Sequence, residues 1–251
     1  MNSTQMEHLL SLAEKAAREA GRRLRERSDS WTSIVVQKGK DIKLGGDRLA
    51  EDLILEILTG GSDFPILSEE RGWVGAPHDG LIWIIDPLDG SANYAQGIPL
   101  CAVSIALVDG TQPKLGVIYD FNRDELYLGI AGGSASLNGA AMRVSSVTEQ
   151  SRGVFMTGLP ARHDFSDDSL HALVSDMALW RKVRMIGTAS LAIAYVASGK
   201  ADLYREENIM FWDVAAGCAL VLAAGGAIEI TQGPLDEPKA VAAHNGLLHM
   251  R

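Results

Sequence analysis

Asp86 and Asp89 stand three residues apart in the stretch Trp83-Ile84-Ile85-Asp86-Pro87-Leu88-Asp89-Gly90-Ser91-Ala92-Asn93. Two carboxylates at that spacing on a stiff turn point into one space, and like charges held that close repel unless a cation joins them. Pro87 pre-sets φ, and Gly90 permits a positive φ. Ser91 and the residues after it can open a helix, leaving free N–H groups beside the acids. A hard cation next to a phosphate suits this combination. Taken alone, the stretch also reads as an Asx-rich turn capping a short helix.

Other acids and turns extend the set. Ser68-Glu69-Glu70 ends a short apolar run one loop earlier. Asp213 opens Trp212-Asp213-Val214-Ala215-Ala216-Gly217, a small-residue helix start where the dipole favours a carboxylate. Gly187-Thr188-Ala189-Ser190 opens another helix and offers N–H groups and a hydroxyl to an anion or polyol. Asp47 falls at the start of a helix, where capping is its ordinary role. Glu206 precedes Asp213 in an acidic and basic neighbourhood, Arg205 and Glu207, and reads either as a pocket acid or as a solvated loop acid.

The elements that must position these groups follow from periodicity. Residues 5–27 read as an amphipathic helix with Leu9, Leu12, Ala13, Ala16, Ala17, Ala20 and Leu24 on one face; the arginines from Arg22 to Arg27 form a solvated end. Residues 38–47 are polar and glycine-rich, which predicts a loop, and a second helix follows over 47–58. Residues 64–70 and 81–85 read as strands. Strands over 100–108, 114–119 and 125–130, joined by Asp109-Gly110 and later Gly-Gly and Asn138-Gly139 turns, predict an antiparallel meander. From about residue 150 helices and strands alternate. The expected class is therefore mixed α+β and α/β, with residues 1–150 as an N-terminal half carrying most of the acids and residues 151–251 as an α/β half carrying Asp213.

Composition narrows the partners. The net charge of −9 disfavours a nucleic-acid surface, which wants a basic stripe. Cys101 and Cys218 lie in apolar runs and read as buried thiols of a reducing compartment. The six histidines are scattered with no His-x-x-x-His pair, so zinc is not expected. No signal-like segment or membrane span is read, and the expectation is a soluble cytoplasmic protein without membrane contact.

Together, Ser68-Glu69-Glu70, Asp86-Pro87-Leu88-Asp89-Gly90-Ser91, Gly187-Thr188-Ala189 and Trp212-Asp213-Val214-Ala215-Ala216-Gly217 resemble, in order and over the whole length, the inositol monophosphatase family of metal-dependent, lithium-sensitive phosphatases. The resemblance implies a layered αβαβα sandwich and usually a homodimer. It implies one metal on Glu69, Asp86 and the Leu88 carbonyl, a second on Asp86, Asp89 and Asp213, and a third, weaker one near Glu69. All-oxygen ligands point to Mg²⁺, with Mn²⁺ as substitute.

The same resemblance assigns Ser91 to orient the attacking water and Asp47 to act as general base through it, alongside Glu69. It places phosphate on the Gly90 and Ser91 N–H groups, and the polyol against Gly187, Thr188, Ala189, Glu206 and Asp213. Thr157-Gly158-Leu159-Pro160 resembles a pocket-bordering T-G-F-P stretch of bacterial members. The family's D-x-V-T-x-x-D loop departs here to Asp41-Ile42-Lys43-Leu44-Gly45-Gly46-Asp47, which changes the third metal's loop; contact with a phosphate is an alternative role for Lys43. The implied substrate is a small phosphorylated polyol or sugar, first myo-inositol monophosphate, with fructose bisphosphate, adenosine bisphosphate and histidinol phosphate as alternatives. A regulatory or scaffold protein of the same fold is the reading from another class.

Overall fold

Helix α1 (Ser3–Arg25) begins with a capping box: Asn2 Oδ1 accepts from the Gln5 N–H at 2.9 Å, and Gln5 Oε1 accepts from the Asn2 N–H at 3.0 Å. Its small-residue face, Ala13, Ala16, Ala17 and Ala20, is fully buried and lets α3 (Gly45–Gly61) pack closely beside it. Between them lie α2 (Asp29–Thr32) and the antiparallel hairpin of β1 (Ile34–Lys38) and β2 (Asp41–Leu44). The expected loop over 38–47 is thus corrected. Asp41–Leu44 pairs with Ile34–Lys38, whose Ile34, Val35 and Val36 favour a strand, and the helix starts at Gly45. The computed structural model describes residues 2–27, 29–38, 41–77, 79–159 and 164–249. Gly39 and Lys40, the Lys43 side chain and Pro160 lie outside the described residues.

Strands β3 (Ile66–Ser68), β4 (Gly72–Val74), β5 (Leu81–Asp89), β6 (Ala102–Asp109), β7 (Gln112–Asp120), β8 (Glu125–Ile130), β9 (Ala135–Leu137) and β10 (Ala140–Ala141) form one sheet, with helix α4 (Ser91–Gln96) between β5 and β6. The sheet order is β10-β9-β8-β7-β6-β5-β3-β4; β3 runs parallel to β5 and the other pairs are antiparallel, so the expected meander is present. β5 alternates between two cores: Trp83 and Ile85 face α1 and α3, while Ile82 and Ile84 face the opposite layer. Burial on both sides is why the strand reads as a continuous apolar run.

Strands β11 (Val154–Met156), β12 (Lys182–Arg184), β13 (Leu203–Ile209), β14 (Ala227–Ile230) and β15 (Lys239–His244) form the second sheet, in the order β12-β11-β13-β15-β14. Helices α5 (Asp167–Met177), α6 (Ala189–Ala197) and α7 (Phe211–Ala223) complete the chain. α6 and α7 fill the space between the sheets, and Met177 at the end of α5 packs on the outer face of the second sheet. The layers are α1/α3, sheet, α6/α7, sheet, α5, the αβαβα sandwich that was expected. α7 lies so close on the first sheet that a Cβ at Gly116 would stand 2.2 Å from the Ala216 carbonyl oxygen.

Candidate metal centre

The end of β3 zips onto β5, and the Glu69 N–H donates to the Ile85 carbonyl at 3.2 Å. That bond sets Glu69 beside Asp86, the next residue on β5. Ser68 is held from below by Glu51 of α3, whose carboxylate accepts from the Ser68 hydroxyl and, at 3.1 Å, from the Arg71 N–H. Arg71 Nε lies 2.9 Å from the other Glu51 oxygen. Glu51 is fully buried and lies outside the set of acids expected from the sequence. The available signal was its place on the same helix face as Asp47, Ala50 and Ile54, where a glutamate has no solvent to meet.

The Asp86–Asp89 segment, expected to turn past the strand, instead stays in β5 with a break in register between Asp86 and Asp89. Pro87 lacks an N–H for the ladder, so the strand bulges there. The Asp86 carboxylate accepts from the Leu88 N–H at 3.0 Å, and Leu88 buries its side chain under α1 and α3. Gly90 then takes φ 86°, and a Cβ on it would stand 2.8 Å from the Leu100 carbonyl oxygen, so only glycine fits. α4 opens at Ser91, as expected.

From the other half, Asp213 lies in the first turn of α7, its N–H donating to the Met210 carbonyl at 3.3 Å. Carboxylate oxygens of Glu69, Asp86 and Asp213 all come within 4.8 Å of one another. Asp89 enters from the end of β5: the Ser190 N–H donates to its Oδ2 at 2.8 Å, and the Thr188 and Ser190 hydroxyls donate to the same oxygen. Burial pushes the Asp86 carboxyl well above the usual range, and the charges of Glu69, Asp89 and Asp213 push it further. Asp213 is raised in the same way, by burial first and then by Glu69, Asp89 and Glu206. Asp89 is raised by burial against the pull of its Ser190 and Thr188 donors.

Asp47 is buried in the first turn of α3 and accepts from the Leu44 N–H at 2.5 Å, the capping geometry expected of it. Thr188 caps α6 after Gly187, whose φ is 74°. Its hydroxyl turns to Asp89. Glu206 on β13 is nearly buried and accepts from the Tyr204 hydroxyl at 2.7 Å; burial raises its carboxyl to about 7. Gly158 makes room for it, since a Cβ there would stand 2.7 Å from a Glu206 oxygen. Glu206 is therefore a buried acid and not a solvated loop residue.

The donor set consists of hard oxygens, and burial with neighbouring acids is what chiefly raises Asp86 and Asp213. Such a cluster fits a divalent cation of the Mg²⁺ type and not a soft metal.

Comparison with known proteins shows the family. A sequence model of the inositol monophosphatase family matches residues 5–250. An inositol-1-monophosphatase of Mesorhizobium japonicum is 38% identical over 232 residues, 91% of this chain and 87% of the relative. The Nus factor SuhB of Xylella fastidiosa is 39% identical over 216 residues, 84% of this chain and 78% of the relative. The solved inositol monophosphatase of Anabaena superposes with a TM-score of 0.83 at 33% identity, covering 96% of this chain and 92% of that one.

Proposed function

Since the chain belongs to the inositol monophosphatase family and is a phosphoric monoester hydrolase, we propose that its acidic pocket binds Mg²⁺ and that its substrate is myo-inositol monophosphate. The convergence of Glu69, Asp86 and Asp213 from three separate elements is the observation that carries this reading. Glu69, Asp86 and the Leu88 carbonyl would hold one cation, and Asp86, Asp89 and Asp213 a second, with a third near Glu69. When bound, these cations supply positive charge that offsets the charge developing on the attacking and departing oxygens.

The chain's own groups do the rest. The Gly90 and Ser91 N–H groups bind phosphate oxygens. The Ser91 hydroxyl orients the attacking water and relays its proton to Asp47; as the P–O bond to the polyol breaks, the departing alkoxide takes a proton from a second water. Gly187, Ala189 and the Thr188 backbone border the polyol, and Glu206 and Asp213 take its hydroxyls. The reading extends to a cytoplasmic homodimer. Among the described residues no helix is long and apolar enough to cross a membrane.

The test is a panel of phosphomonoesters assayed with Mg²⁺: inositol monophosphate, fructose bisphosphate, adenosine bisphosphate and histidinol phosphate. Highest kcat/KM on inositol monophosphate supports the substrate, and a higher value on another member reassigns it. Relatives named Nus factor SuhB favour one further reading, a partner-binding role on the same fold. Retention of that role by an inactive Asp86→Asn chain would separate it from catalysis.

A further inference from the structure

We propose that Thr188 and Ser190 are positioning residues: a buried hydroxyl clamp that fixes the Asp89 carboxylate in one orientation for its cation, with Asn93 holding the clamp in place. The inference rests on the reading of Asp89 as a metal ligand.

Three donors meet on one oxygen. The Thr188 hydroxyl, the Ser190 hydroxyl and, at 2.8 Å, the Ser190 N–H all end on Asp89 Oδ2. A carboxylate oxygen offers about two lone-pair sites, so the three donors saturate Oδ2; the Ala189 N–H also pulls on the Asp89 carboxylate, and a cation must bind through the lone pairs left on Oδ1. Thr188 and Ser190 are both buried, so water does not compete for their hydroxyls. Neither residue makes the clamp alone: Thr188 caps α6, which points its hydroxyl back over the first turn, and Ser190 lies within that turn.

The clamp and the ligand are about a hundred residues apart in sequence, so something must fix the 186–190 turn against the end of β5. Asn93 does this. Its Nδ2 donates to the Ile186 carbonyl at 2.8 Å and to the Leu100 carbonyl at 2.7 Å, with the Gly187 carbonyl at 3.3 Å. The turn backbone lies directly on the amide, since a Cβ at Gly187 would stand 3.0 Å from Asn93 Nδ2. Asn93 thus joins the helix that follows Asp89 to the turn that grips it. A ligand held in its binding rotamer before the cation arrives loses less side-chain freedom on binding, and outer groups of this kind change metal affinity about 10–100-fold.

The experiment measures Mg²⁺ binding to the substrate-free full chain by titration calorimetry, after EDTA treatment and dialysis, for wild type, Ser190→Ala, Thr188→Val, Thr188→Ser and Asn93→Asp. A cooperative melt in EDTA confirms that each variant folds. The clamp predicts about 10-fold weaker binding in Ser190→Ala, Thr188→Val and Asn93→Asp, and wild-type affinity in Thr188→Ser, which keeps the hydroxyl. Unchanged affinity in Ser190→Ala and Thr188→Val overturns the clamp, as does a Thr188→Ser chain as weak as Thr188→Val. A wild-type chain that takes up no Mg²⁺ overturns the metal centre and the clamp together.

Discussion

The Tyr204 hydroxyl donates to Glu206 Oε2 at 2.7 Å, two residues along the same strand and on the same face of β13. The pair holds an acid of the second sheet within electrostatic reach of Asp89 and Asp213. Burial raises the Glu206 carboxyl to about 7; the Tyr204 bond pulls it down and the Asp89 charge pushes it up. The fold therefore holds an acid that titrates near neutrality seven residues before Asp213.

Glu206→Gln should flatten part of the pH dependence of stability. A carboxyl raised in the fold stabilises it fully below the unfolded value, 4.5, and that contribution is lost as pH rises through about 7. In EDTA the variant should match wild type near pH 4 and exceed it near pH 8 by on the order of 3 kcal/mol. Urea unfolding at the two pH values measures this, and a constant difference between variant and wild type would rule it out. The same variant should raise KM for inositol phosphate about 10-fold, because a charge-assisted hydrogen bond to the polyol is lost.

Asp86→Asn should separate stability from activity. Asp86 and Asp213 are raised by burial and by each other's neighbours, so both cost stability in the metal-free chain as pH climbs through their raised values. Mg²⁺ opposes that cost and should lift the melting point more at pH 8 than at pH 6. At 100 times its dissociation constant, a bound ion adds about 2.7 kcal/mol. The amide variant should melt higher than wild type in EDTA, gain little from Mg²⁺ and lose turnover. A variant that melts lower in EDTA, or that still responds fully to Mg²⁺, would contradict the like-charge account.

Much of the fold was legible because burial left a clear pattern. β5 is apolar on both faces since each face meets a different core, and α1 shows one small-residue stripe because only one side is covered. β15 was missed: Lys239-Ala240-Val241-Ala242-Ala243-His244 has little intrinsic strand preference and is a strand because β13 and β14 pair with it on both sides. β2 was missed because Asp41-Ile42-Lys43-Leu44 is polar at alternate positions and becomes a strand by pairing with Ile34–Lys38. The acids of the site were legible as residue types, but their partners were not. The helix face of Glu51 marks it as buried, but its partners Ser68 and Arg71 are visible only once α3 is laid under β3. Ser190 has no local mark that its hydroxyl ends on Asp89.

Gly116→Ala tests the tight seat of α7 on the first sheet. The added methyl meets the Ala216 carbonyl oxygen at 2.2 Å and its carbon at 2.9 Å, both backbone, so no side chain can yield. α7 would have to lift from β7, carrying Asp213 with it. A loss of about 3 kcal/mol is expected from overpacking, with weaker Mg²⁺ binding in the surviving fold. Denaturant midpoints and calorimetry read the two effects, and a variant as stable as wild type would mean that α7 does not sit as closely as described.

The α5 surface should hold the proposed dimer together. α5 buries none of its residues fully; Val174 is 63% exposed, and Leu179 and Met185 after it in the chain are also exposed. β12 follows as an edge strand of the second sheet, so among the described residues its outer backbone groups face no further strand of that sheet. Exposed apolar side chains and an open sheet edge are costly in water and suit burial against a second copy of this chain. A stable dimer needs on the order of 1,200–2,000 Å² of buried surface, and charges placed at its centre should abolish it. Val174→Asp combined with Met185→Asp should shift sedimentation from dimer to monomer while the Mg²⁺-dependent melt persists, because both side chains are exposed in the single chain. Unchanged sedimentation of the double variant would move the interface elsewhere.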